Sequence, residues 1–131
     1  MKIMSLEAKE KYIQDLEMES IKAKLLAETE KLIAKKKVIQ ALKESHRDLI
    51  SSREQARSDI IRNDLNYGEC KNTDQRNAYL AIELTKEDNV IETSDNEIQR
   101  YQLELDIAQD NLKFLKYQAR LVVSELQFMA D

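Results

Sequence analysis

Gly68 is the only glycine among the 131 residues, and the chain contains no proline. Glycine and proline are the residues that interrupt helices most strongly, so long helices are expected on either side of Gly68. The composition, with 35% charged, 42% hydrophobic and only 5% aromatic residues, is typical of coiled coils. We therefore predict an all-α chain with a single domain over residues 1–131. It is expected to form a long antiparallel two-helix hairpin, with helix one at about 5–66, a turn at 67–72 and helix two at about 73–129.

One face of each predicted helix is mostly apolar, at ten of fifteen positions in helix one and thirteen of fifteen in helix two. The apolar positions advance by alternating steps of three and four residues, from Met18 to Tyr67 in helix one and from Leu80 to Met129 in helix two. A repeat sustained over this length indicates coiled-coil-like contact between the helices. We call these positions the seam.

The turn between the helices is short and polar. Gly68 is predicted to adopt the left-handed conformation that closes a helix C-terminus. Asn72 or Thr73 would cap the second helix, and Gln75, three residues after Asn72, would complete a capping box. A connection of this length makes the two helices antiparallel neighbours.

Polar residues within the seam predict its register, because a buried polar group without a partner is costly. When positions whose numbers sum to 140 face each other, three polar interruptions meet polar partners, and a slip of one heptad destroys this matching. Two further polar positions, Glu28 and Lys35, face Leu112 and Leu105 in this register and must extend their charges past the seam. The predicted polar layers are Asn63 with Asn77, Arg53 with Glu87, and His46 with Ser94.

A second apolar face lies opposite the seam, at the end of the hairpin that carries both termini. Helices that are apolar on two faces are buried on two faces, so we expect this end to assemble into a four-helix or larger bundle. The expected state is a homo-oligomer, as a dimer or tetramer. The predicted self-association residues are Leu6, Ile13, Leu16, Leu26, Ile33, Leu103, Ile107, Phe114, Tyr117, Leu121 and Phe128.

A compact monomer is the alternative, in which one helix folds back and covers the second apolar face internally. It requires a break, and the sequence is weakest near residues 45–54 and 93–97. Serine, aspartate and asparagine in these stretches compete with helical hydrogen bonds, and both stretches contain a capping-box pattern.

The chemical groups of the chain do not form a recognisable catalytic, cofactor or metal site. His46 is the only histidine and Cys70 the only cysteine, so neither a zinc site nor a paired nucleophile and base can be drawn. His46 is interpreted as a polar layer of the seam. We expect no enzyme activity, no cofactor and no metal.

Charge directs the search for partners. The net charge of −4 argues against nucleic acid or an anionic membrane as the main ligand. No segment is long and apolar enough to span a membrane, and the first residues lack the apolar core of a signal peptide. We therefore expect a cytoplasmic protein. Residues at the loop and on an acidic stretch after it are candidates for binding a protein partner: Tyr67, Glu69, Lys71, Glu83, Glu87 and Asp88. Lysines of helix one are candidates for binding phosphate: Lys22, Lys24, Lys31, Lys35, Lys36 and Lys37.

Two functions follow as hypotheses. The first is a noncatalytic interaction, scaffold, adaptor or regulatory protein that self-associates through its open end and presents its polar loop to an unidentified protein partner. The alternative is an accessory or regulatory protein for nucleic acid, of phage or mobile-element type, whose assembled lysine face contacts phosphates without reading sequence. No sequence motif selects between them.

Overall fold

The computed structural model describes residues 5–130, and their side chains as far as residue 127. Four helices follow one another: α1 (Leu6–Asn63), α2 (Leu65–Gly68), α3 (Thr73–Glu83) and α4 (Thr85–Ala130). No strand occurs within the described residues, and α1 packs against α4. The predicted all-α helical hairpin is therefore confirmed, whereas its assembly into a bundle stays a prediction.

The seam is the packed face of both long helices. Every described seam position is buried or half-buried except Asn63, which is exposed. The seam pattern identifies the core because steps of three and four residues return each side chain to the same side of a helix. The most deeply buried side chains all belong to it: Ile39, Leu80, Leu84, Leu105, Ala108, Leu112 and Val122.

Contacts divide the described residues into two compact units. The terminal unit comprises residues 5–36 and 103–130, and here the first part of α1 packs against the last part of α4. The central unit comprises residues 37–102 and contains the remainder of both helices with α2 and α3. In each unit polar contacts join the two long helices, such as the 3.6 Å pair of Lys35 and Glu104 in the terminal unit.

The breaks considered near residues 45–54 and 93–97 do not occur, because α1 and α4 run through them as continuous helices. Polar side chains in these stretches make their hydrogen bonds without opening the backbone. Thr93 donates to the carbonyl of Asn89, one turn back, and Ser94 bonds across the seam to His46. A fold-back of either helix is therefore ruled out for the described residues.

Two other positions interrupt the helices instead. The first long helix ends at Asn63, three residues before the predicted end at about residue 66, and Asp64 follows it. At Leu84 the backbone leaves helical geometry for one residue, yet both flanking hydrogen bonds are kept, from Leu84 to Leu80 and from Asp88 to Leu84 at 2.9 Å each. The Thr85 hydroxyl donates to the carbonyl of Ala81 at 2.8 Å, a contact that bends helices.

Gly68 does not close a helix in the left-handed conformation, so this prediction is wrong. Gly68 is the last residue of α2, and no described residue has a positive φ. The chain turns through Asp64 and Asn72, which cap α2 and α3, so left-handed geometry is not needed. Asn72 accepts from the backbone of Gln75 at 2.9 Å as predicted, while the Gln75 side chain accepts from the backbone of Lys71 at 2.8 Å.

Candidate interaction surfaces

The outer face of α4 in the terminal unit is a row of large, exposed apolar side chains. Their exposed fractions run from 47% for Leu121 to 61% for Phe114. Leu103 and Tyr117 lie two residues from the seam positions on both sides, whereas Ile107, Phe114 and Leu121 lie two residues after one seam position and one residue before the next. All five are therefore turned away from the seam by about 100–200° around the helix. We define the α4 outer face as Leu103, Ile107, Phe114, Tyr117 and Leu121. The side chain of Phe128, predicted to extend this row, lies outside the described residues.

The outer face of α1 in the terminal unit is equally exposed but more uneven in side-chain size. Its large members run from 48% exposed at Ile33 to 73% at Leu6, and exposed alanines separate them. The α1 outer face is defined by the large residues Leu6, Tyr12, Ile13, Leu16, Leu26 and Ile33, together with the small residues Ser20, Ala23, Ala27 and Ala34.

The apolar area of these two faces is large for a single chain. Their eleven large side chains, each about half exposed, present on the order of 1,000 Å² in total if a large side chain carries about 200 Å². Monomeric proteins rarely expose contiguous apolar patches above a few hundred Å², and a stable interface buries roughly 800 Å² per partner. The terminal unit therefore exposes enough apolar area for an interface.

A polar layer of the central unit joins His46 to Ser94. The His46 Nδ1 and Ser94 Oγ atoms lie 3.0 Å apart, and both residues are half-buried. Their numbers sum to 140, the register deduced from the seam. The structure thus brings together the pair that the polar pattern matched.

Arg53 forms a second polar layer with a different partner from the predicted one. Its Nε donates to Asp88 at 2.8 Å and its Nη1 to Glu54 at 3.0 Å, and the hydrogen bond to Asp88 raises the pKa of Arg53. Glu87, the predicted partner, leaves Oε2 buried without a hydrogen bond. Asp88 is favoured because it lies beside the seam, where the long Arg53 side chain reaches it without burying its charge.

The third predicted layer does not form. Asn63 and Asn77 are both exposed, and no described hydrogen bond joins them. The reason is that α1 ends at Asn63 and the chain departs through Asp64, so this position no longer faces the second arm of the hairpin as a continuous helix would.

Asp64 organises the loop end of the central unit. Its Oδ1 accepts from the backbone of Asn66 at 2.9 Å and of Tyr67 at 3.2 Å, which caps α2, and its Oδ2 accepts from the Tyr79 hydroxyl at 2.8 Å. The Tyr67 and Tyr79 ring centroids lie 6.4 Å apart. The hydrogen bond to Tyr79 lowers the pKa of Asp64, and the same bond raises the pKa of Tyr79 to about 12.

Sequence reasoning missed both Asp64 and Tyr79, although one signal was present. Aspartate is a preferred N-cap residue, so Asp64 could have been recognised as the start of a new turn of helix. Tyr79 carried no such signal, because its partner is fifteen residues away and is reached only through the turn.

We expect Tyr79→Phe to loosen the loop end without unfolding the chain. Loss of the donor should raise the pKa of Asp64 toward its ordinary value of 3.8 and speed amide hydrogen exchange at Asn66 and Tyr67. NMR titration and exchange measure both effects. Tyr12→Phe, which changes an exposed tyrosine of the terminal unit, is the control. An unchanged Asp64 titration would contradict the role given to Tyr79.

The pH dependence of this contact has a defined sign at each end. Asp64 has a lowered pKa, so its contribution to the stability of the loop end is complete above pH 3.8 and is lost as pH falls through the lowered pKa. Tyr79 has a raised pKa, so its contribution to the stability of the loop end is complete below pH 10.0 and is lost as pH rises through its pKa of about 12. The loop end should therefore be most protected between these limits.

The residues predicted to bind a protein partner differ in their availability. Glu69, Lys71 and Glu83 are exposed, whereas Tyr67 is half-buried beside Tyr79. Glu87 and Asp88 are half-buried, and Asp88 is already bound to Arg53. The exposed charges at the loop are therefore the residues best placed to contact another molecule.

The lysines predicted to bind phosphate are partly neutralised by carboxylates of the same chain. Lys22 lies 3.6 Å from Glu19, Lys31 lies 3.4 Å from Glu28, and Lys35 lies 3.6 Å from Glu104. Lys24, Lys36 and Lys37 are exposed. These pairs reduce the positive charge that the face can offer to phosphates, so the structure adds no support to the nucleic-acid hypothesis.

An open groove of 470 Å³ crosses the central unit between residues 42–49 of α1 and 89–97 of α4. Apolar side chains such as Leu42 and Val90 line it together with the hydroxyls of Ser45 and Thr93 and one carboxylate, Glu97. Within the described residues, no three His, Cys, Asp or Glu side chains are grouped so that they could hold a metal ion. The groove is suited to contact with apolar and hydroxyl groups.

Comparison with family models, with curated proteins and with solved structures found no match to this chain. Of the helices that the structure describes, none has both the length and the apolar character needed to cross a membrane. The choice of candidate interaction surfaces therefore rests on the structure of this chain, which favours the two outer apolar faces and the loop end.

Proposed function

We propose that this chain is a noncatalytic interaction protein that self-associates through its terminal unit and presents its loop end to a protein partner. The observation that carries the proposal is the exposed apolar area of the two outer faces, on the order of 1,000 Å². A homo-oligomer that buries this area gains a favourable free energy of about 25 cal/mol for each Å² of apolar surface removed from water. Packing within the hairpin does not bury these two faces, because α1 and α4 contact each other through their seam positions.

The mass of the unmodified chain in solution tests self-association. Light scattering after size-exclusion chromatography, at several micromolar concentrations, should give a multiple of the 15.3 kDa chain mass with helical circular dichroism preserved. A helical species of 15.3 kDa throughout would refute the proposal. Dissociation on dilution, with helicity retained, would support it and give the strength of the contact.

The loop end is proposed as the part that engages the partner. It is held by the Asp64 hydrogen bonds, and it carries two exposed charged residues, Glu69 and Lys71, two positions apart in the chain. A surface that is held in place loses little conformational freedom on binding. Charged groups at such a surface select a partner by complementarity and influence its rate of association.

A charge exchange at the loop tests this role. The double variant Glu69→Lys and Lys71→Glu keeps the net charge, the helices and the caps, and it should lose any protein that the unmodified chain captures specifically. The matched control is Lys43→Glu with Glu44→Lys, an exchange of equal size at two exposed positions of α1 in the central unit. Quantitative mass spectrometry of captured proteins measures the result. Equal capture by the loop variant and the control would rule out the loop as the binding site.

A further inference from the structure

The α4 outer face repeats the spacing of the seam. Its five apolar side chains and Asp110 follow one another in steps of four and three residues from Leu103 to Leu121. Such steps return each side chain to one side of the helix, and they are the spacing by which one helix packs against another. All six residues are exposed, and α1 packs against α4 through the seam. The α4 outer face is therefore a second helix-packing surface, about 27 Å long, that no described part of the chain covers.

The spacing of this face fits a second copy of itself in antiparallel orientation. When positions whose numbers sum to 224 face each other, all five large side chains lie within the interface. Because the two copies are equivalent, each contact is made twice. A slip of one heptad sets Leu121 against a polar residue, either Asn96 or Asp110. The facing pairs in the unslipped register are Leu103 with Leu121, Ile107 with Tyr117, and Phe114 with Asp110.

Two charged residues favour the antiparallel orientation. Asp110 interrupts the apolar row and Lys113 lies beside it, and both are exposed. In the antiparallel register Asp110 of one copy lies level with Lys113 of the other, so each Lys113 has a carboxylate next to it even though the two lysines approach each other near the axis. Parallel docking in register would instead set Asp110 against Asp110 within the apolar row. Exposed ion pairs add little energy, but like charges in contact disfavour an orientation.

The apolar area of the face approaches what a stable dimer needs. Exposed fractions of 47% to 61% on five large side chains, at about 200 Å² each, give about 500 Å² per copy and about 1,000 Å² in the pair. Flanking polar residues add to this area, and stable interfaces bury about 1,200–2,000 Å² in total. Phe114 and Tyr117 lie near the middle of the contact, where large side chains contribute most to binding.

We propose that the α4 outer face docks antiparallel on the same face of a second copy, with a twofold axis level with Leu112. This inference rests on the proposed self-association and specifies the surface, orientation and symmetry of one contact. Each copy uses the face once, so this contact closes at two copies. A tetramer requires a separate contact, for which the α1 outer face remains exposed.

Single-cysteine variants test this geometry in the full-length chain. In a Cys70→Ser background, Lys113→Cys places a thiol close to the twofold axis, and Arg120→Cys places one a heptad further along the same side of α4. Both replaced residues are exposed, and both variants keep the five apolar side chains. A short bis-maleimide should link Lys113→Cys into a covalent dimer of twice 15.3 kDa. Arg120→Cys should stay at the mass of one chain, because its two thiols lie about 24 Å apart along the helices.

The outcomes separate the geometry from self-association itself. A covalent dimer from Arg120→Cys would indicate parallel docking or another register and would overturn the inference while leaving self-association intact. Asn111→Cys, also exposed and close to the axis, repeats the test with Lys113 in place. Absence of a covalent dimer from both Lys113→Cys and Asn111→Cys, in samples that light scattering shows to be oligomeric, would also overturn the inference. A 15.3 kDa mass by light scattering for the unmodified chain would refute both the geometry and self-association.

Discussion

Replacing Phe114 and Leu121 with glutamine is expected to reduce this protein to a monomer of 15.3 kDa. Each side chain contributes up to about 1.5–3 kcal/mol when it is fully removed from water. Both side chains are already partly covered in the single chain, so we expect the two substitutions together to remove about 3 kcal/mol of binding free energy from each interface. This loss weakens association roughly a hundredfold. Glutamine is a good helix former, so α4 should remain intact.

The matched control removes apolar surface of similar size from the central unit. Ile82→Gln with Val90→Gln changes two exposed side chains that belong to neither outer face. Light scattering should show an unchanged mass for this control and a reduced mass for the Phe114 and Leu121 variant, with equal helicity by circular dichroism. An unchanged mass for both variants, above 15.3 kDa, would remove the α4 outer face from the interface.

Leu84→Ala is expected to cause the largest loss of stability of any single truncation in the chain. Leu84 is 1% exposed and is the only fully buried large side chain among the described residues. Truncating a buried leucine costs about 2–5 kcal/mol, through lost burial and the cavity left behind. Leu84 also lies between the end of α3 and the start of α4, so its packing supports the junction of the two helices. Urea unfolding followed by circular dichroism measures the change.

Leu65→Ala is the control for this measurement. Leu65 is 84% exposed, and substitutions at such positions change the free energy of unfolding by about 0.5 kcal/mol or less. All three proteins must be compared at one concentration, because self-association adds to apparent stability. Equal unfolding midpoints for the two variants would contradict the role of Leu84 in the core.

The sequence predicted the pairing of the arms better than the ends of the helices. The seam follows from spacing alone, since a side chain that returns every three or four residues must face the same partner. His46 and Ser94 could be matched because both lie within the seam, where position determines the partner. Arg53 could not, because its long side chain reaches beyond the seam to Asp88, and a spacing rule does not describe that reach.

The loop end was the part of the candidate surfaces that the sequence described least well. Gly68 was expected to set the turn because glycine tolerates left-handed geometry, yet the turn depends on the caps at Asp64 and Asn72. Helix ends are decided by competition between several hydrogen-bonding side chains within a few residues. Which of them prevails depends on contacts such as that of Tyr79, made across the turn.

The sequence by itself determined the helical class, the antiparallel hairpin and the identity of the core. These depend on local helical preference and on a repeat that is fixed by the geometry of one helix. Only the tertiary structure decided that the helices run unbroken through residues 45–54 and 93–97, that they break at Asp64 and Leu84, and that Arg53 binds Asp88. Those outcomes depend on side-chain reach and on burial between two helices, which are properties of the packed pair and not of either helix alone.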